Sequence, residues 1–141
     1  MQYLYFTVNK IWLALDISHV DEILIPEGPI GMVSGSGQMS GEIKYGEKNI
    51  PLINLRESLF AVPYSQSDAY RIIVCSYDGK QFALQVDTAE EIAGVNQDNI
   101  GEAGVPEINF KPDYAEGVIR EENRTYYILS LKQLAAVPRK A

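Results

Sequence analysis

This chain carries one motif twice. From Gly41 to Leu59 it reads as a strand, a tight polar turn, a second strand and a short helical cap. Ile43 and Tyr45 alternate with Glu42 and Lys44, the period-2 pattern of a strand with one buried face. Gly46 to Asn49 is the turn, where Gly supplies free φ and Asn tolerates the left-handed region. Ile50, Leu52, Ile53 and Leu55 make the returning strand. Pro51 has no amide to donate, so it is expected at a sheet edge or at the strand's start. The motif returns from Gly117 to Lys132, 76 positions on (117 − 41). Gly41 matches Gly117, Ile43 matches Ile119, Lys44 matches Arg120, Leu55 matches Leu131 and Arg56 matches Lys132. A second pair agrees: Ala14 to Ile23 resembles Ala83 to Ile92, offset by 69 (83 − 14). Two matches in the same order at nearly equal offsets point to one β unit built twice, with pseudo-repeated subdomains over about 1–62 and 69–137.

Read in order, the chain is strands and turns. Tyr3 to Val8 is aromatic and β-favouring, Asn9-Lys10 is a two-residue turn, and Ile11 to Ile17 returns. Ser18 to Ile23 is ambiguous: Ser18 could cap a single helical turn, with Asp21 and Glu22 placed favourably in its first turn. Glu27 to Ser40 is a glycine-rich loop, Ala61 to Asp68 a linker and Asn96 to Asp113 a second long loop. Tyr70 to Ser76 and Gln81 to Val86 form a hairpin across Asp78-Gly79. Ser130 to Ala136 is a short C-terminal helix ended by Pro138. Short strands at regular spacing with almost no long helix mean an all-β barrel or sandwich.

Charge and composition exclude several functions. With 141 residues the chain is one domain, or two small subdomains sharing a core. A net charge of −7 disfavours nucleic acid and anionic membranes, both of which reward clustered Lys and Arg. No apolar run approaches the roughly 18 residues of a membrane helix, and the N-terminus opens into a strand without an export signal. The expected address is therefore cytoplasmic, without membrane insertion. The one cysteine, Cys75, lies in the apolar run from Ile72 and is expected to be buried and inert. The glycine-rich loop lacks the closing Gly-Lys-Ser or Gly-Lys-Thr of a phosphate loop, so no nucleotide cofactor is expected. The only histidine, His19, reads as solvent-exposed or capping, because the adjacent Ser18 cannot serve it as a nucleophile. Asp87, Glu90 and Glu91 read as a solvated acidic surface. No zinc or calcium ligand pattern and no catalytic constellation is visible, so the chain does not read as an enzyme.

The order of motifs resembles the CheW-like domain of bacterial chemotaxis coupling proteins over Tyr3 to Val137. The residues that carry the resemblance are Tyr3 to Phe6, Ala14 to Ile17, Val20 to Ile23, Gly41, Ile50 to Arg56 and Ala83 to Asp87. The resemblance implies two packed SH3-like β-barrels and a non-enzymatic signal-transduction scaffold. Its partners would be the regulatory domain of the histidine kinase CheA and the cytoplasmic tips of chemoreceptors. The first barrel would dock on the kinase, and a hydrophobic groove between the barrels would take the receptor tip. Val20, Glu22, Ile23 and Gly41 match positions tied to these contacts, and Ala89 and Ile92 would lie on the second barrel near the groove.

The resemblance departs where the family commonly has Asn-Leu-Arg-Gly. Those places hold Lys44, Tyr45, Gly46 and Glu47, so Gly46 stands for the arginine and a guanidinium able to pair bidentately is lost. Ala83 stands where the family usually has glycine. The alternative reading is a CheW-like module of a related pathway such as pilus motility, or a decoy with altered binding.

Overall fold

Two hairpins open the two repeats. Strand β1 (Gln2–Val8) turns into β2 (Ile11–Asp16) through Asn9 and Lys10, with φ of 53° and 67°. Strand β6 (Arg71–Tyr77) turns into β7 (Lys80–Val86) through Asp78 and Gly79, with φ of 52° and 76°. Positive φ at both central residues matches the right-handed twist of the paired strands. The two turns lie 69 positions apart (78 − 9), which is the repeat offset.

The structure is a computed structural model describing residues 1–26, 39–64, 68–102, 114–121 and 123–135. After the first hairpin come β3 (Val20–Leu24), β4 (Met39–Tyr45), β5 (Lys48–Asn54) and helix α1 (Leu55–Phe60). After the second come β8 (Thr88–Gly94), a two-residue β9 (Ile100–Gly101), β10 (Ala115–Glu121), β11 (Arg124–Leu129) and α2 (Leu131–Ala135). One sheet has the order β8-β1-β2-β11-β10-β9 and the other β3-β6-β7-β5-β4. The repeats have thus exchanged hairpins: β1–β2 lies between β8 and β11, and β6–β7 lies between β3 and β5. The units 1–62 and 69–137 describe the repeat in sequence, and each sheet takes strands from both.

The duplication holds down to the register. Parallel pairing sets Ala14 against Ile128 and Ala83 against Leu52, and the offsets of 69 and 76 carry one pair onto the other. Asp21 is the extra residue of a bulge where β3 meets β6, and Glu90 is the extra residue where β8 meets β1. A further equivalent pair of bulges follows Met39 in β4 and Ala115 in β10. The helices also start alike: Asn54 accepts from the amide of Glu57 at 3.1 Å, and Ser130 Oγ from that of Gln133 at 3.3 Å.

Each sheet curls into a small barrel. In the five-stranded sheet the end strands are tied together, with the Tyr45 hydroxyl on β4 donating to Glu22 Oε1 on β3 at 2.7 Å. In the other, the Tyr5 hydroxyl on β1 reaches Glu121 Oε1 on β10 at 2.6 Å. The interior of the first barrel is built from Tyr3, Tyr5, Ala14, Ile119, Tyr126 and Ile128. The second is filled by Ile50, Leu52, Tyr70, Ile72, Val74 and Ala83. Alternate residues of the same strands, among them Leu4, Phe6, Leu13, Leu15, Ile73, Phe82 and Leu84, form a third core between the barrels. Burial of both faces explains the continuous apolar runs of the hairpin strands. Cys75 lies in this third core, where burial pushes its thiol up and its Sγ approaches the Ile73 carbonyl at 3.8 Å, in keeping with an inert side chain.

Two local expectations need correction. Pro51 is neither at an edge nor at the start of its strand: it is the fourth residue of β5, an interior strand, opposite Glu42. It is tolerated because the parallel ladder with β7 begins one residue later, at Leu52. The turn after β2 is a 3₁₀ turn over Ile17–His19 capped by Asp16, not Ser18: Asp16 Oδ1 accepts from the Ser18 amide at 2.9 Å. The longer carboxylate reaches forward to that amide. His19 closes this turn, half-buried, with its ring 5.6 Å from that of Tyr77. The glycine-rich segment 27–38 lies outside the described residues, as do 103–113.

Neighbouring residues on β7 should respond in opposite senses. Leu84 is fully buried in the third core, and Leu84→Ala should cost about 3 kcal/mol through lost burial and a cavity. Gln85 is also fully buried, and neither of its amide atoms finds a partner. Gln85→Met, similar in volume without the unmet polar atoms, should gain about 1 kcal/mol. Urea denaturation of both variants checks the pair of signs.

Candidate functional site

The residues that the resemblance singles out fall on strand edges. Val20, Glu22 and Ile23 lie on β3, which among the described residues pairs through its backbone only with β6. Val20 is half-buried against the central core, while Glu22 and Ile23 face outward, Ile23 at 36% exposure. Ala89 and Ile92 lie on β8, paired among the described residues only with β1, and Ile92 is 52% exposed. The exchange of hairpins puts them on the barrel that holds Tyr3 and Tyr5, and puts β3 on the other, the reverse of the expected assignment. The repeat maps Val20 onto Ala89 and Ile23 onto Ile92 (20 + 69, 23 + 69), so the two edges are equivalent strips. Ile25, 71% exposed, extends the apolar surface beyond β3.

Tyr45 and the following Gly46 join the β3 strip, because the bond from Tyr45 to Glu22 brings the end of β4 beside it. Gly41 does not. It sits at the bulge near the other end of β4, about 13 Å along the strand from Tyr45 at the usual rise per residue. Gly46 holds φ of 63° and its Cβ position is open to solvent, so glycine serves the turn conformation there. Gly41, at φ of 105°, is likewise in a conformation that side chains rarely adopt.

The interior of the seam between the barrels is filled by the third core, whose residues Leu4, Phe6, Leu13, Leu15 and Leu84 are 0–1% exposed. The exchanged hairpins bury both faces of their strands there. At the margin of this core Ile17, Val20 and Tyr77 stay half-buried, which is where the expected hydrophobic groove would lie. Among the described residues the large apolar side chains that are exposed are Met1, Ile23, Ile25 and Ile92.

Asp87 is not part of a solvated acidic surface, although Glu90 and Glu91 are exposed. It sits where the chain passes from one sheet to the other, and its amide donates to the Thr7 carbonyl at 2.9 Å. Its Oδ1 lies 3.0 Å from Arg56 Nη2 and also accepts from the Tyr64 hydroxyl, while Oδ2 accepts from the Asn9 amide at 2.8 Å. Arg56 in turn pairs with Asp68 at 2.9 Å and lies 3.8 Å over the Tyr64 ring. Burial first, and then the bond to Asp87, pushes the Tyr64 hydroxyl far above its ordinary value of 10.0. This cluster ties α1 and the segment after it to both hairpins. Sequence reading quoted Arg56 and Asp87 in separate motifs, and no local spacing signals that they meet 31 residues apart.

A recess of about 440 Å³ opens at the β10–β11 turn, lined by Glu121, Asn123, Arg124 and Tyr126. Its charged groups are already engaged. Arg124 lies 4.0 Å over the Trp12 ring, and Glu121 accepts from Tyr5, whose ring stacks on Tyr126 at 3.8 Å. Among the described residues no group of three or more His, Cys, Asp or Glu side chains could hold a metal ion. None of the described helices is long and apolar enough to cross a membrane.

Two barrels are joined through a shared core, and the end strands β3 and β8 each carry one exposed isoleucine. Comparison with family models matches the CheW-like domain over residues 2–139, and the chain belongs to that family of scaffold proteins. Among solved structures it is similar to the scaffolding protein TtCheW from Thermoanaerobacter tengcongensis, with a TM-score of 0.77 and 22% identity over 92% of this chain and 84% of that one. Comparison with curated proteins gives no match.

The Asp87 cluster should reveal itself in stability. Asp87→Asn removes one of the two carboxylates paired with Arg56 and leaves it with Asp68 alone, in a site where the Arg56 and Asp87 side chains are both 16% exposed. The expected loss is about 2 kcal/mol in chemical denaturation, below the figure for fully buried pairs. Tyr64 adds a pH signature. Its folded value is raised, so its proton stabilises the fold fully below pH 10, and that contribution drains away as pH rises beyond it. Tyr64→Phe should therefore flatten the alkaline limb of the stability curve, measured from pH 8 to 12.

Proposed function

We propose that this chain is a non-enzymatic adaptor that couples chemoreceptors to the histidine kinase CheA in the bacterial cytoplasm. The observation that carries this reading is the pair of equivalent open edges, β3 and β8, each with one exposed isoleucine beside acidic residues. An open edge offers unpaired backbone groups to an incoming chain, and an isolated apolar side chain offers an anchor. Membership of the CheW-like scaffold family supports the choice of partners.

On this reading the β3 strip takes the regulatory domain of the kinase through Val20, Glu22 and Ile23, with Gly46 at its margin. Ala89 and Ile92 on β8 take the receptor tip. Gly41 contributes by shaping β4 at its bulge rather than by direct contact. Val20 places the β3 strip at the margin of the seam, and Ile23 carries it onto the outer face of its barrel. Two separate edges allow both to be held at once, which is what coupling requires.

Gly46 favours a second reading, a module of a related pathway such as pilus motility or a decoy, since the family arginine is missing there. Gly46→Arg is the test of that reading. If it leaves the affinity for kinase and receptor unchanged, the missing guanidinium does not set this chain apart.

Titration of the full chain against the regulatory domain of CheA from the same organism should show binding at tens of micromolar or tighter, roughly −6 kcal/mol or better. Ile23→Asp should weaken that binding by about tenfold or more while leaving the melting temperature unchanged, since Ile23 is outside the core. Ile92→Asp should instead reduce binding to the receptor tip. Absence of kinase binding by the unmodified chain would remove the reading.

A further inference from the structure

The repeat supplies an internal control for the β3 strip. By the offsets of 69 and 76, Glu22 corresponds to Glu91 and Tyr45 corresponds to Glu121. At the equivalent place in the first barrel there is no tyrosine to meet the edge glutamate. Glu121 takes its hydrogen bond from Tyr5, and Glu91 makes no hydrogen bond or salt bridge to a described residue. The bond between Tyr45 and Glu22 is therefore not something that this barrel architecture imposes. One edge has a glutamate held in place, and its twin does not.

The Tyr45 ring packs half-buried against the interior of the second barrel, and its hydroxyl meets Glu22 at the exposed surface. The bond is 2.7 Å long, and Glu22 draws the tyrosine's own ionisation upward. A hydroxyl is uncharged, so Glu22 is oriented without being neutralised. The same holds for the next residue: Asp21 accepts from Ser76 Oγ and from Gln81 Nε2, both neutral donors. The salt bridges among the described residues all lie on Arg56, away from this edge.

We infer that Tyr45 is a positioning residue of the β3 docking edge, aiming the Glu22 carboxylate at a lysine or arginine of the partner that takes the place of an internal cation. The inference rests on the reading of β3 as the kinase-facing surface. Ordering one long side chain before association removes an entropic cost that corresponds to about a 2- to 10-fold gain in affinity. Leaving the charge unpaired makes the contact salt-dependent, because the partner cation must be found in solution.

The test is a double-mutant cycle on the full chain, read as calorimetric affinity for the regulatory domain of CheA at low and high salt. Melting curves of every variant verify the fold. Tyr45→Phe, which keeps the ring, should weaken binding about 2- to 10-fold. Glu22→Gln should weaken it at least as much and flatten the salt dependence. The double variant should be no weaker than Glu22→Gln alone, since the hydroxyl then has no charge to aim. Unchanged binding in Tyr45→Phe beside a clear loss in Glu22→Gln would overturn the inference and leave the surface intact. So would additive losses, which would mean that Tyr45 acts independently of Glu22. If Glu22→Gln and Ile23→Asp both leave binding untouched, β3 is not the surface, and the inference falls with the reading it rests on.

Discussion

The two parallel strand pairs, β2 with β11 and β5 with β7, hold the rest of the structure in place. Each welds a hairpin of one repeat to the later strands of the other. Neither barrel can therefore close from one half of the chain, since its interior draws on both. Tyr3 and Tyr5 face Ile119 and Tyr126 across the repeats, and Val74 and Ala83 face Ile50 and Leu52. The reverse faces of the same hairpins then meet between the barrels, where Phe6, Leu13, Ile73 and Leu84 are almost wholly excluded from water. Side chains on both faces of four strands leave no room in that seam. A protein built this way has its most apolar junction committed to its own stability.

Much of the strand plan could be read from residues alone. The offsets of 69 and 76 located equivalent strands, and turn chemistry marked both hairpins at Asn9-Lys10 and Asp78-Gly79. The exchange of hairpins was not legible, for a physical reason. When two repeats share one pattern, a strand pairs as well with its counterpart in the other repeat as with its own, and alternation cannot separate the two. The filled seam follows from that exchange and was hidden with it. Asp87 was misread because its partners, Arg56, Tyr64 and Asn9, come from three distant segments. Tyr45 looked like an ordinary inward strand residue; only the curl of the sheet brings its hydroxyl to β3.

Pseudo-symmetry also separates what the fold needs from what one barrel has kept for itself. Bulges, hairpin turns and helix caps occur in both repeats at matching positions, so they belong to the architecture. The ion pair of Arg56 and Asp87 has no such twin: the matching residues are Lys132 and Ser18, which cannot form it. That cluster fastens the segment between the repeats, a connection made only once in the chain. The aromatic stack of Tyr5 and Tyr126 is likewise confined to one barrel, whose counterparts are Val74 and Ile50. These departures from symmetry mark places where local circumstance, not the barrel, chose the residue.

An adaptor edge has to satisfy two opposed demands. It must be open to a foreign chain, yet it must not pair with the same edge of another copy. Charge resolves the conflict here. Asp21 and Glu22 on β3, and Glu90 and Glu91 on β8, are all exposed, so two copies meeting edge to edge would bring like charges together. A net charge of −7 on each copy adds to that repulsion. A partner presenting basic side chains meets no such barrier and gains from the same carboxylates. On the proposed reading the acidic residues would make these strands selective, and the exposed isoleucines would give a partner that passes this filter something to hold.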